Sequence, residues 1–264
     1  MSESKVLLDL VQKSLDDFCD ERQSEFSQIS SDLTVIPSYT KSLLAGGKRF
    51  RALFCYWSWV AALDVASTRQ TQEQRTASTE AMVGICSALE MFHAAALVHD
   101  DLLDQSDTRR GEPAVHKRFE ALHTSQGFAG SPERFGLAGS VLVGDMMLGW
   151  SSEIFGQALL KSPSSEIESH CREEFSKMRI EVMAGQYLDV LEENAAPIRS
   201  VDEAVGRIPA EEVLEAPARR RREARAARAG DVAAVGAHRG VVAVGVGAGG
   251  AAGAVCDEGG GREV

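Results

Sequence analysis

Residues 77–104 most limit what this chain can become. They form a long run of alanine and other strong helix formers that ends in a crowd of carboxylates. Read as a helix, the run is apolar nearly all round, which places it in a buried core. A buried helix that runs into an aspartate cluster is hard to explain as structure alone. The neighbouring segments carry the same period. Residues 4–29 space Val6, Leu7, Leu10, Val11, Leu15, Phe18, Phe26 and Ile29 mostly three and four apart, an amphipathic helix with an acidic outer face. After a break at Pro37, a short helix over 38–45 stops at Gly46-Gly47, and another starts at Lys48. Residues 64–76, 105–116 and 124–136 read as loops, and 137–160 and 165–194 as helices. No period-two strand pattern occurs before residue 200, so the first 200 residues are expected to be all-α, in one bundle.

The carboxylates follow a helical spacing. Asp100 and Asp104 are four apart and share a face, which His93 begins seven residues earlier and Asp107 continues seven later. Asp101 points about 100° away. Crowded carboxylates repel unless a cation sits among them. Oxygen-only ligands suit a hard ion such as Mg2+, held by one or two carboxylates together with substrate phosphates. Arg109 and Arg110 follow at once, and their planar forks match phosphate oxygens. The stretch therefore reads as a metal–diphosphate site at the end of an apolar helix.

Other polar residues admit two readings each. Lys48 and Arg51 stand near a helix start, against the dipole preference; they form a solvated basic turn, or join helix-start amides in holding an anion. His93 is a satisfied core histidine or a ligand-binding one. Asp145, set in an apolar face, is a helix–helix contact or a catalyst. Glu181, Gln186 and Asp189 are the polar members near Gly185, where Met178, Val182, Leu188 and Leu191 are expected to pack.

Residues 209–264 differ in kind. Ala, Gly, Val and Arg supply 43 of these 56 residues, a composition that supports neither a core nor amphipathic periodicity. Arg219–Arg222 reads as a solvated charge run. The tail is expected to be disordered or the product of a wrong reading frame in a GC-rich gene. Its charges balance, so the net charge of −11 lies wholly in residues 1–208 and argues against nucleic acid as a partner. Five scattered cysteines without a C-x-x-C pair fit a reducing compartment. With no basic-then-apolar leader and no run of 18 apolar residues, a cytoplasmic protein without stable membrane insertion is expected.

Taken together, GGKRFR at 46–51, HDDLLDQSDTRRG at 99–111, GDMML at 144–148 and GQYLD at 185–189 resemble the trans-prenyltransferases, the head-to-tail isoprenyl diphosphate synthases. The resemblance covers about residues 5–208. It implies an all-α isoprenoid-synthase-type bundle around a central cavity, working as a homodimer. It implies condensation of isopentenyl diphosphate with an allylic diphosphate, most simply to geranylgeranyl diphosphate, with Mg2+ as cofactor. By the same resemblance Asp100 and Asp104 bind Mg2+ and Arg109 holds the allylic diphosphate. Lys48, Arg51, His93 and Arg110 hold isopentenyl diphosphate, and Gln186 and Asp189 line the cavity. The growing tail runs back along the helix before the aspartates. Ala94, Ala95 and Ala96 leave it open there, and Phe92 and Leu89 are the next possible floor, so a product longer than fifteen carbons is expected.

The chain departs from the family pattern in two places. Ala52 stands where the family usually has proline. The Lys-Thr pair, the Phe-Gln and the second Asp-rich motif that follow the GQxxD helix do not occur, so the domain over 1–208 reads as incomplete. Two other functions compete with the first. One is a catalytically dead truncated or partner subunit. The other is an HD-type metal phosphohydrolase using His93, His99-Asp100 and a later aspartate.

Overall fold

The computed structural model of the chain describes residues 2–66, 72–161 and 165–194. Among them the order is α1 (Glu3–Ile29), a 3-10 turn (Ser31–Thr34), α2 (Val35–Leu44), α3 (Phe50–Ala66), α4 (Gln72–Leu103), β1 (Thr108–Arg109), β2 (Glu112–Pro113), α5 (Val115–Gln126), α6 (Pro132–Leu159) and α7 (Ser165–Asn194). The described residues fall into two compact units, one of residues 2–53 and 80–160, the other of 54–66, 72–79, 161 and 165–194. The all-α class is borne out. The tail over 209–264 lies outside the described residues.

Several boundaries differ from the sequence expectation. β1 and β2 form a two-stranded antiparallel hairpin, with Thr108 opposite Pro113 and Arg109 opposite Glu112, where no strand was expected. Two residues per strand are too few to show a period. Pro37 lies inside the first turn of α2, and Pro132 opens α6, because a helix's first turn needs no N–H from proline. Ser131 caps α6 by accepting from the Arg134 amide at 3.2 Å. Gly136, expected in a loop, is therefore helical. A methyl group there would meet the His116 carbonyl at 2.6 Å, so its bareness serves packing against α5.

In the first unit, α1 buries the stripe Leu7, Val11, Leu15, Phe18 and Cys19. Phe18 and Phe26 each set their rings 5.9 Å from that of Trp150 on α6. Burial pushes the Cys19 thiol up to about 12, so it stays protonated as a core residue. Helices α4 and α6 run antiparallel along a seam of small residues. A methyl group on Gly84 would lie 2.7 Å from the Ala158 Cβ; Ser151 donates to the Ala88 carbonyl at 2.7 Å; a methyl group on Gly144 would lie 2.2 Å from His99 Nε2. Residue numbers rise on one helix as they fall on the other, over about 22 Å of α4. The stretch Thr76–Leu103 is long and apolar enough to cross a membrane, yet 72% of its most apolar window is buried in the protein.

In the second unit, Tyr56 packs its ring against those of Trp57 and Trp59 at 5.4 and 5.6 Å. On α7, Cys171, Phe175 and Met178 are buried. Leu188 and Leu191, expected to pack, are 44% and 47% exposed, because period marks an apolar face without specifying what covers it.

Candidate active site

Helix α4 holds its hydrogen bonding to the end of the motif: the Asp104 amide donates to the Asp100 carbonyl at 2.8 Å. Asp100 and Asp104 thus sit on one face, as their spacing requires. Gln105 then turns left-handed at φ 53°, and the Ser106 amide closes back on the Asp101 carbonyl at 2.9 Å. That stop takes Asp107 off the face on which sequence placed it. Its carboxylate lies 3.3 Å from Lys117 Nζ, and its carbonyl accepts from the Ala114 amide at 2.9 Å, which closes the base of the hairpin.

The hairpin presents the two arginines. Its loop is Arg110-Gly111, at φ 57° and 85°, the mirror-image turn that suits a two-residue connection. A non-glycine residue in that region carries about 1 kcal/mol or more of strain. Arg109, on β1, folds back onto α4. Its Nε donates to Asp101 Oδ1 at 2.8 Å, and its terminal nitrogen binds Asp101 and, at 3.1 Å, Asp100. Asp101 is 1% exposed and its Oδ2 has no protein partner. The helical period alone turns Asp101 away from the Asp100 face. Its signal was the arginine eight residues on, close enough in sequence for a hairpin to bring back.

The second cation group comes from the loop before α3. Gly47, at φ 90°, lies so close to Arg110 that a methyl group there would stand 3.1 Å from both terminal guanidinium nitrogens. The Gly46–Arg49 loop and the hairpin thereby meet. Between them and α4 is a cavity of about 270 Å3, lined among others by Gly46, Arg49, Glu90, His93, Arg109 and Arg110. Burial pushes the His93 imidazole down to about 4, helped by Arg51, Arg110 and Arg109 nearby. Arg109 and Arg110 thus share a cavity with a neutral histidine, and Arg51 adds its charge from the start of α3. Helix-start amides are not all open to an outside anion, as one reading had them: the Ala52 amide already donates to Glu90 at 3.2 Å.

The depressed His93 value sets a pH dependence. Between about pH 4 and 6.5 the unfolded chain binds a proton at this ring and the folded chain does not, so stability falls as pH drops through that window. The loss is on the order of 2 kcal/mol once solvent reaching the half-buried ring is allowed for. Urea unfolding at pH 6.5 and 4.5 should show this loss, and His93→Gln should shed that part of it. Equal pH slopes in parent and variant would refute the assignment.

Gln186 and Asp189 are half-buried on α7, in the second unit. Asp145 is exposed, with Oδ1 3.5 Å from His99 Nε2, a contact along the seam. Phe92 and Ala95 are buried and Ala96 is half-buried. Among the described residues no three His, Cys, Asp or Glu side chains gather closely enough to hold a metal by themselves. Two carboxylates one turn apart beside phosphate-seeking arginines fit an ion that takes its remaining ligands from a diphosphate and water.

The chain is similar to known proteins in sequence and in fold. The family model described as polyprenyl synthetase matches residues 34–205. A chloroplastic geranylgeranyl pyrophosphate synthase of Catharanthus roseus is 32% identical over 174 residues, 64% of this chain and 40% of the relative. Geranylgeranyl pyrophosphate synthase 11 of Arabidopsis thaliana is 39% identical over 34% of this chain and 22% of its own length. A crystal structure of geranylgeranyl pyrophosphate synthase from Corynebacterium glutamicum, complexed with isoprenyl diphosphate and magnesium, aligns at a TM-score of 0.64 and 34% identity, over 75% of this chain and 53% of that one. The matches thus span well under two thirds of the length of each relative.

Proposed function

The chain belongs to the polyprenyl synthetase family, and from that premise we propose that it condenses isopentenyl diphosphate with an allylic diphosphate. The allylic C–O bond breaks, pyrophosphate leaves, a new C–C bond forms to the isopentenyl double bond, and a proton passes to the pyrophosphate. Geranylgeranyl diphosphate is the product we favour, in keeping with the names of the relatives. The observation that carries the reading is the cavity that His93 shares with Arg109 and Arg110, on the face of α4 that also bears Asp100 and Asp104.

In this reading Asp100 and Asp104 offer oxygens to Mg2+ on the allylic diphosphate. Bound there, Mg2+ supplies charge neutralisation for the leaving group. Arg109 passes from its carboxylate partners to the allylic diphosphate. Lys48, Arg51, His93 and Arg110 grip isopentenyl diphosphate, with neutral His93 donating a hydrogen bond without adding charge. By family position Gln186 and Asp189 are further substrate-binding residues. The protein works as a homodimer in the cytoplasm. Residues 1–208 are the prenyltransferase domain, incomplete at its end, and 209–264 a wrong-frame tail. Reading the DNA after codon 208 in all three frames tests the last point: a second Asp-rich motif in another frame is expected.

Incorporation of labelled isopentenyl diphosphate with Mg2+ and allylic primers of several lengths tests the activity. Turnover supports it. A well-folded chain without turnover supports instead the dead or partner subunit.

Product length can be probed at α4. Ala95→Phe and Ala96→Phe are expected to shorten the product. Ala95 is fully buried. If the tail reaches it, the ring fills open space at little cost in stability; if not, overpacking costs about 1–3 kcal/mol. Chromatography of dephosphorylated products, read beside melting curves, separates the cases. An unchanged product removes Ala95 from the tunnel.

A further inference from the structure

Arg49 has no part in the scheme above, yet it is the most enclosed cation of the loop. It is 8% exposed and takes a left-handed backbone at φ 44°. Its guanidinium donates to the Leu44 carbonyl, at the end of α2, and to Gln12 Oε1 on α1. Its other terminal nitrogen lies 3.6 Å from Glu90 Oε2. Glu90 is also 8% exposed, in the apolar run of α4. Its second oxygen accepts from the Ala52 amide, in the first turn of α3, where a negative charge is favourable. The Arg49 carbonyl accepts from the Leu53 amide at 3.1 Å and starts that same helix.

Buried charges are expensive unless paired, and strained backbone persists only where its surroundings hold it. Both costs meet at one joint, between Lys48 on one side and Arg51 on the other. Glu90 stands three residues before His93 on α4, so it shares that residue's side of the helix.

We propose that the buried Arg49–Glu90 pair is a positioning device: it fixes the Gly46–Arg49 loop and the start of α3 to α4, and so sets Lys48 and Arg51 against His93 as a preformed diphosphate cradle. The role of that cradle rests on the reading given under Proposed function. A cradle of mutually repelling cations does not assemble unaided. Arg49 is itself pushed down by burial, with Glu90 opposing and Arg110 adding to that shift, so the carboxylate is the group that lets the cations approach.

The test uses the full chain with Glu90→Gln and the double variant Arg49→Met/Glu90→Leu. The double change removes both charges together, which a folded protein tolerates far better than losing one. Three quantities are read: the melting curve, calorimetric affinity for inorganic pyrophosphate in EDTA, and the rate of tryptic cleavage after Lys48 in Glu90→Gln, whose loop sequence is unaltered. The double variant should melt cooperatively near the parent, yet bind pyrophosphate about tenfold more weakly or worse. Cleavage after Lys48 in Glu90→Gln should accelerate by a similar factor. A folded double variant with parental affinity overturns the positioning role. A parent that folds but binds no pyrophosphate overturns the diphosphate reading, and the cleavage comparison then decides whether the pair fixes the loop: unchanged cleavage means it does not.

Discussion

Asp100→Ala is expected to lower the proposed Mg2+-dependent incorporation of isopentenyl diphosphate by at least about a hundredfold, the scale on which single groups that stabilise transition-state charge act. The fold should survive, because Asp100 is only partly buried and Arg109 keeps its stronger anchor on Asp101. Arg109 would therefore stay placed, and pyrophosphate affinity in EDTA should hold or rise while the Mg2+-dependent part vanishes. Asp101→Ala should do the reverse. It removes the buried carboxylate that holds the guanidinium, so metal-free affinity and melting temperature fall together. Isothermal calorimetry with and without Mg2+ on both variants separates the two carboxylates. An Asp100→Ala enzyme near the parental rate would remove Asp100 from the metal site.

Gly144→Ala is expected to be the most destabilising one-carbon change in the first unit. The added methyl group would stand 2.2 Å from His99 Nε2 and 2.6 and 2.7 Å from two further ring atoms. The ring is not the loose end of a side chain. Its Nε2 lies 3.4 Å from the Val141 carbonyl and 3.5 Å from Asp145, and its backbone belongs to α4. Relief needs the helices to part or the imidazole to abandon both contacts. Overpacking of this kind costs about 1–3 kcal/mol, and each kcal/mol lowers the melting temperature by about 2–4 °C in a chain of this size. His99→Ala in the same chain should recover part of the loss, since the clash needs both partners. Calorimetric melting of the two singles and the double measures that coupling; a Gly144→Ala protein that melts with the parent would show that the seam has slack.

What could be read from the sequence was whatever repeats along it. The period of α1 and the apolar run of α4 were visible because burial of a face leaves a mark every three or four residues. The pairing of Asp100 with Asp104 was visible for the same reason. The misplaced residues depend on chain reversals. Asp107 left its face because Gln105 turns left-handed, which glutamine does not announce. Arg110 occupies a turn position where Asn is the familiar residue. Glu90 and Arg49 meet across 41 positions, and no local pattern joins them. A weaker signal did exist: an acid inside an apolar stretch must find a partner. The exposed leucines of α7 show the opposite limit, since period identifies an apolar face without its cover.

The α4–α6 seam also bears on dimensional accuracy. Both helices carry motif residues beside their contact points, Asp100 next to His99 and Asp145 next to Gly144. Sliding one helix by a single turn would move these carboxylates about 5 Å, more than twice a Mg–oxygen bond. Large interlocking side chains could be repacked at a neighbouring register. Bare glycines against a ring and an alanine offer no second fit of equal depth. The seam therefore acts as a length standard, and a protein that has folded with it closed has its motif residues on α4 and α6 already in step.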